Sequence, residues 1–462
     1  MTDTPLRVAI IGAGPSAFYA AAQLLQQDAV DVRVHMFDRL PTPYGLVRTG
    51  VAPDHQKIKS VTRTFARTAA DPRFRFFGNV GFGTDVSLED LKGHYHQILF
   101  ATGAASDKRM GIPGEDLRNS HPATAFVAWY NGHPDFRDCE FDLSQERVAI
   151  VGVGNVAIDV ARILCLSPAE LAATDMADYA IEALSRSNVR EVYLLGRRGP
   201  AQAAFTNPEI KELGDLADAN VVVRPEEVEL DPVSREAVEE SGDRSLQRKV
   251  ELLQSYAKRK PAGGRSRSLF LRFLVSPLEL TDDGSGAVGG IRLVHNALAH
   301  TAAGTIVAEP TTRFEDLAAG LVFRSVGYRG VPLPGVPFHD RWGVILNEKG
   351  RVLDSQTNQP IVGEYVTGWI KRGPNGVIGT NKPDSAETVA CMLEDAACAR
   401  TLKPSSPASD AEFELIRVRQ PRCVSFDDWC RLDEMEVARG LAQGRPRVKF
   451  TSVEEMLRAL GK

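Results

Sequence analysis

One pattern occurs twice in this chain, and it restricts the fold more than any other feature. Near the start the apolar run RVAII (Arg7 to Ile11) leads into Gly12-Ala13-Gly14-Pro15-Ser16-Ala17, then an alanine-rich stretch of helical periodicity, then a second apolar run, VRVHMF. From Arg147 the order returns: RVAIV, then Gly152-Val153-Gly154-Asn155-Val156-Ala157, a helical AIDVARILC, an Ala- and Leu-rich insertion, and EVYLL. Strand, glycine turn, helix and strand make a βαβ unit. The first glycine permits the tight turn and the second lets backbone approach a pyrophosphate. The third, close-packing place tolerates alanine, as at Ala17. The helix that follows turns its unpaired N–H groups toward phosphate. Gly12, Gly14, Ser16 and Ala17 therefore form one candidate dinucleotide cradle, and Gly152, Gly154, Asn155, Val156 and Ala157 form another.

The two units differ where the second strand ends. The first closes on Asp38, whose carboxylate can accept hydrogen bonds from both hydroxyls of an adenosine ribose. The second closes on Gly196 followed by Arg197 and Arg198. A carboxylate there would repel a 2′-phosphate, whereas two guanidinium groups offer it planar, charge-assisted donors. The expected tenants are FAD in the first unit and NADP(H) in the second, with hydride passing from the reduced nicotinamide to the flavin. HQILFATGAA, ending in Ala101-Thr102-Gly103, is the strand-and-glycine return of flavoproteins with two dinucleotide domains, although ATG is also a common strand end.

A chain of 462 residues with net charge -5 and no apolar run of membrane-spanning length reads as globular, with no membrane partner. The first strand begins within ten residues of Met1, which leaves no room for a leader and makes the cytoplasm the expected location. The six cysteines include no C-x-x-C pair, so neither a metal site nor a redox-active disulfide is expected. Val331 to Gly350 is loop-rich, LKPSSPASD (402–410) reads as an exposed linker, and the helical tail beyond it has no evident chemical role.

Longer segments extend these motifs. LPTPYGLVRTGVAPDHQKIK (Leu40 to Lys59), GIPGED (Gly111 to Asp116), GNVAIDVAR (Gly154 to Arg162), GRRGPAQAAF (Gly196 to Phe205), RSVGYRG (Arg324 to Gly330) and GWIKRGPNGVIGTNK (Gly368 to Lys382) closely resemble adrenodoxin-reductase-type ferredoxin-NADP reductases, especially the single-chain bacterial ones. The resemblance runs in register over nearly the whole chain. It implies an α/β fold of two Rossmann-like dinucleotide-binding domains, with an NADP domain (107–327) inserted into a discontinuous FAD domain (1–106 and 328–462). It also implies flavin contacts at Trp369, Gly376, Val377 and Ile378, and a further one at Leu46. A tryptophan after a strand also packs in cores, and glycines also merely shape turns. His55 and Glu212 are implied near the nicotinamide and Glu209 on the NADP side. Lys108 falls where relatives commonly carry arginine, which exchanges a guanidinium fork for a point charge. HQKIKSVTRTFARTAA reads as one helix opened by Asp54 and His55, whose dipole would favour a neutral imidazole that orients the nicotinamide.

The expected reaction is NADPH-driven reduction of FAD, then single-electron transfer to a ferredoxin-type iron-sulfur protein. The basic stretch from Asp243 to Phe273 reads either as the surface that steers such an acidic partner or as a solvated mobile loop. Nucleic acid is not expected, because aromatic interleaving is absent. A flavin monooxygenase or quinone-type diaphorase, and a nucleotide-binding sensor without turnover, share the same two nucleotide sites.

Overall fold

A computed structural model describes residues 5–27, 30–405 and 411–462. The chain divides into two compact units, Met1–Ser106 with Gly327–Lys462, and Asp107–Val326. In the first unit β1 (Leu6–Ile11) is buried along its whole length. It runs through the glycine turn into α1 (Pro15–Leu25), whose Pro15 sits at a helix start where its missing N–H costs nothing. β2 (Val32–Asp38) pairs in parallel with β1, Leu6 opposite Val32 through Ile11 opposite Phe37. Short helices α2 (Leu46–Thr49), α3 (Gln56–Lys59) and α4 (Thr62–Ala69) lead to β3 (Phe74–Gly78), and β4 (Gln97–Phe100) flanks β1 on its other side.

The single helix expected over HQKIKSVTRTFARTAA is instead α3 followed by α4. Ser60 donates its hydroxyl back to the Lys57 carbonyl (2.7 Å), and Thr62 donates to Lys59 (2.9 Å). Hydroxyls that bond back in this way compete with the helical ladder.

The second unit repeats the scheme. β5 (Ser120–Pro122), β6 (Arg147–Val151), α5 (Asn155–Cys165), β7 (Glu191–Leu195), α6 (Asn207–Leu213), β8 (Ala219–Val223), α7 (Arg244–Ala257) and β9 (Arg267–Arg272) follow in turn. An antiparallel meander of β10 (Val275–Asp282), β11 (Val288–His300) and β12 (Ile306–Ala318) precedes β13 (Leu321–Arg324). The parallel sheet has the order β5-β13-β6-β7-β9-β8. The meander forms a three-stranded sheet of its own and is not evident in the sequence.

The chain then returns to the first unit. β14 (Asn347–Glu348), β15 (Arg351–Leu353) and β16 (Pro360–Val366) extend its sheet to the order β14-β15-β16-β4-β1-β2-β3. α8 (Trp369–Arg372) and α9 (Asn381–Ala397) follow β16. Of the expected linker, 406–410 lies outside the described residues.

The tail beyond it is packed rather than appended. Trp429 and Leu432 of α10 (Phe426–Leu441) and Met456, Leu457 and Leu460 of α11 (Val453–Leu460) share one core with β1, α1 and β2. Each unit thus packs the helix that follows its glycine turn on a core of its own.

Candidate functional site

Gly12 has φ of 100°, and a Cβ there would lie 2.6 Å from the carbonyl oxygen of Ala101, the start of the Ala101-Thr102-Gly103 return. Glycine is required by that approach and by the backbone angle. At Gly14 a Cβ would meet nothing within 4 Å, so the space over the second glycine is open. Ser16 and Ala17 are buried in the first turn of α1. Asp38 is half-buried at the end of β2. Its Oδ2 accepts the Ala13 N–H (2.9 Å) and its Oδ1 the Leu40 N–H (2.9 Å). Burial pushes this carboxyl above the usual carboxylate range, against the pull of those two N–H groups. The carboxylate keeps further lone pairs for a ligand.

A second strand of chain lies on the same turn. Tyr44 donates its N–H to the Ala13 carbonyl (2.8 Å) from a left-handed conformation, φ 84°, that is uncommon for a side chain of this size. Its ring packs between Phe18 and Trp429. This contact fixes the start of α2 and, with it, half-buried Leu46. Arg48, two residues on, is held by Glu436 of α10 through Nη1 (2.8 Å) and Nη2 (2.6 Å). The tail therefore clamps the segment that lies on the glycine turn, a role no local sequence signal reveals.

The second turn copies the first. Gly152 has φ of 132°, a Cβ on it would strike the Ser325 carbonyl, and a Cβ on Gly154 would again meet nothing within 4 Å. Asn155 Oδ1 accepts the Thr206 N–H (2.9 Å), while Ala204 and Phe205 donate to the Val153 carbonyl at 2.9 and 3.1 Å. The segment beyond the arginine pair is thereby folded back onto the glycine turn. It delivers α6 with Glu209 buried and Glu212 partly exposed, 3.6 Å from the buried Arg162. Val156 and Ala157 lie in the first turn of α5, with Ala157 fully buried. Arg197 is exposed and Arg198 half-buried, and among the described residues neither guanidinium has a hydrogen-bond or ion-pair partner. Lys108 is exposed.

Trp369 is half-exposed rather than a core residue; it donates Nε1–H to the Asn375 carbonyl (3.0 Å) and its ring leans on Tyr328. Gly376 and Val377 are exposed and Ile378 half-buried just ahead of α9. Among the described residues none of these three donates its N–H to another group. Three free amides and an apolar Val377 that is 53% exposed make a surface suited to a flat, carbonyl-bearing ring. Asp384, which the sequence reading missed, holds this turn in place. It accepts from Thr367 Oγ1 (3.0 Å) and Gly368 N–H (2.6 Å), and pairs with Lys371 (3.3 Å) and Arg372 (3.5 Å).

His55 caps α3 and is half-buried. The stretch 243–273 is a loop only at 258–266. It forms α7 and the interior strand β9, where Arg267 and Arg272 are buried, Arg267 donating to the Leu166 carbonyl (3.0 Å) and Arg272 to Glu227 (2.8 Å) and Glu315 (2.8 Å). The cations it leaves exposed include Lys258, Arg259, Lys260 and Arg265.

Two glycine-turn βαβ units in one chain define a pyridine-nucleotide oxidoreductase architecture. Residues 6–211 match the family model described as pyridine nucleotide-disulphide oxidoreductase. NADPH-ferredoxin reductase FprA of Mycobacterium tuberculosis is 46% identical over 98% of this chain and 99% of its own length. The mitochondrial NADPH:adrenodoxin oxidoreductase of Arabidopsis thaliana is 40% identical over 99% and 96%. The solved structure of M. tuberculosis FprA in complex with NADPH superposes with a TM-score of 0.93 at 45% identity, covering 99% of this chain and 100% of that one. The chain belongs to the NADPH-ferredoxin reductase family. No helix among the described residues is long and apolar enough to cross a membrane.

Proposed function

We propose that this chain is a ferredoxin-NADP+ reductase that holds FAD on its first unit and NADP(H) on its second. One observation carries the reading. The two glycine turns are built alike, yet the second strand of one ends on the carboxylate of Asp38, bonded to its turn, and that of the other is followed by two guanidinium groups with no partner among the described residues. Both cradles fit a dinucleotide, because the space over Gly14 and Gly154 is open where a Cβ would intrude.

Gly12, Gly14, Ser16 and Ala17 would hold the FAD pyrophosphate and Asp38 its ribose. Leu46, Trp369 and the amides of Gly376, Val377 and Ile378 would flank and orient the flavin ring. Gly152, Gly154, Asn155, Val156 and Ala157 would hold the NADP(H) pyrophosphate, with Arg197 and Arg198 on the 2′-phosphate. Lys108 would add charge there, Glu209 would lie on the NADP(H) side, and Glu212 and His55 would set the place of the nicotinamide. When bound, FAD supplies the chemistry that takes a hydride from NADPH and gives up its electrons singly. The protein's part is to orient and to exclude water, since hydride transfer needs no general acid.

Thiol chemistry is disfavoured in spite of the family's description. The cysteines carry no disulfide, and burial pushes the Cys165 and Cys423 thiols up to about 12, away from the reactive thiolate. The exposed cations of the 258–265 segment suit an acidic iron-sulfur partner. NADPH-driven reduction of a purified acidic ferredoxin, measured beside oxygen consumption, tests the assignment. Ferredoxin reduction should dominate and weaken with salt. Reduction of oxygen or quinone alone would favour the diaphorase reading.

A further inference from the structure

The arginine pair is held from behind, and the residue that holds it lies about a hundred positions away in the meander. Gly196 donates its N–H to the Arg272 carbonyl (2.9 Å) and accepts from the Val275 N–H (3.0 Å). The Arg198 carbonyl takes the N–H of Leu274 (3.2 Å), a leucine forced into the left-handed region at φ 57°. The Arg197 carbonyl takes Nδ2–H of Asn296 (2.8 Å), and the same amide reaches Ser276 Oγ (2.8 Å). Asn296 is 8% exposed, and its own N–H is held by the Leu274 carbonyl (2.7 Å).

Its aim comes from an irregularity in the sheet. Pairing between β11 and β12 jumps from Val294 opposite Phe314 to Asn296 opposite Pro310. A bulge of this kind re-aims a side chain. Behind it, Arg272 is locked by Glu227 and Glu315, so the shelf that carries Leu274 is rigid. Strain at Leu274 and a bulge at Asn296 converge on the backbone of two arginines whose side chains have no partner among the described residues. Arrangements that cost local stability persist where the surroundings over-determine them, and they cluster at ligand clamps.

We propose that Asn296 is a positioning residue for coenzyme specificity: by fixing the Arg197 carbonyl, it sets where the two guanidinium groups stand to meet a 2′-phosphate. The inference rests on the NADP(H) reading of the second unit. Its test is isothermal titration of the FAD-loaded protein with 2′,5′-ADP and with 5′-AMP, which differ only in the 2′-phosphate. Asn296→Ala should weaken 2′,5′-ADP about 3- to 10-fold, the worth of one hydrogen bond, and leave 5′-AMP unchanged. Asn296→Thr, which suits a strand and cannot reach Arg197, should show the same selective loss and covers the case in which the alanine variant fails to fold. An equal loss for both ligands, or no loss, overturns the proposal. A wild-type protein that binds the two ligands alike overturns the NADP(H) reading instead.

Discussion

The ion pair between Arg48 and Glu436 joins the two ends of the first unit, and breaking it from either side should give unequal results. Glu436 is fully buried, and one carboxylate serves Arg48 (2.8 and 2.6 Å), Arg447 (3.1 Å) and the Phe450 N–H (2.8 Å). Burial opposes its charge, but the Arg48 guanidinium, helped by Arg447, holds the carboxyl below its usual range. Glu436→Gln leaves Arg48 buried and unpaired, which costs about 3–5 kcal/mol. Arg48→Met leaves the buried carboxylate paired with Arg447 and the Phe450 N–H, so no buried charge is orphaned and the cost is smaller. Because Tyr44 and Gly45 lie on the glycine turn, the lost stability should appear as earlier release of flavin. Urea unfolding followed by flavin fluorescence reads that release directly. The midpoint should fall for both variants and fall further for Glu436→Gln. Equal midpoints, or a larger fall for Arg48→Met, would refute the reasoning.

Other outcomes follow from the same geometry. Arg197→Ala with Arg198→Ala should reduce the preference for NADPH over NADH by roughly a hundredfold or more, at ~1.5–3 kcal/mol for each charged hydrogen bond; kcat/KM for the two coenzymes measures it. Gly14→Val should fold yet fail to retain FAD, while Gly154→Val should keep FAD and lose NADPH binding, as absorbance and titration will tell. Lys258→Glu with Lys260→Glu should slow ferredoxin reduction and spare small dye acceptors, whereas charge reversal at buried Arg267 should lower stability instead. Glu315, bonded by Arg272 against the cost of its own burial, has its carboxyl held down at about 2. Its contribution is complete above the unfolded carboxylate value and is lost as pH falls through about 2. Acid unfolding of Glu315→Gln should therefore begin at higher pH than that of the wild type.

What the sequence reveals here is what local geometry dictates. A glycine that must take φ of 100° against a neighbouring carbonyl is visible because no other residue does it, and strand ends follow from apolar periodicity. Asp38 and the arginine pair are legible for the same reason, since each stands at the end of such a strand. Long-range partners are not. Arg48 and Glu436 lie 388 positions apart, and neither residue type says that it is buried. Arg267 and Arg272 read as surface charge until the strand between them is seen to be interior, with carbonyls and carboxylates waiting for both. The serine and threonine that divide α3 from α4 sit in an otherwise helical pattern, and their hydroxyls decide the break. The bulge that aims Asn296 depends on the register of two strands, which no single segment specifies.

Anaerobic addition of NADPH to the purified protein, with visible absorbance recorded, bears most directly on two nucleotides held by one chain. One FAD per chain should bleach with a single equivalent of NADPH and respond far less to NADH. A colourless protein that takes up no flavin, or a yellow one that NADPH leaves oxidised, would contradict the account.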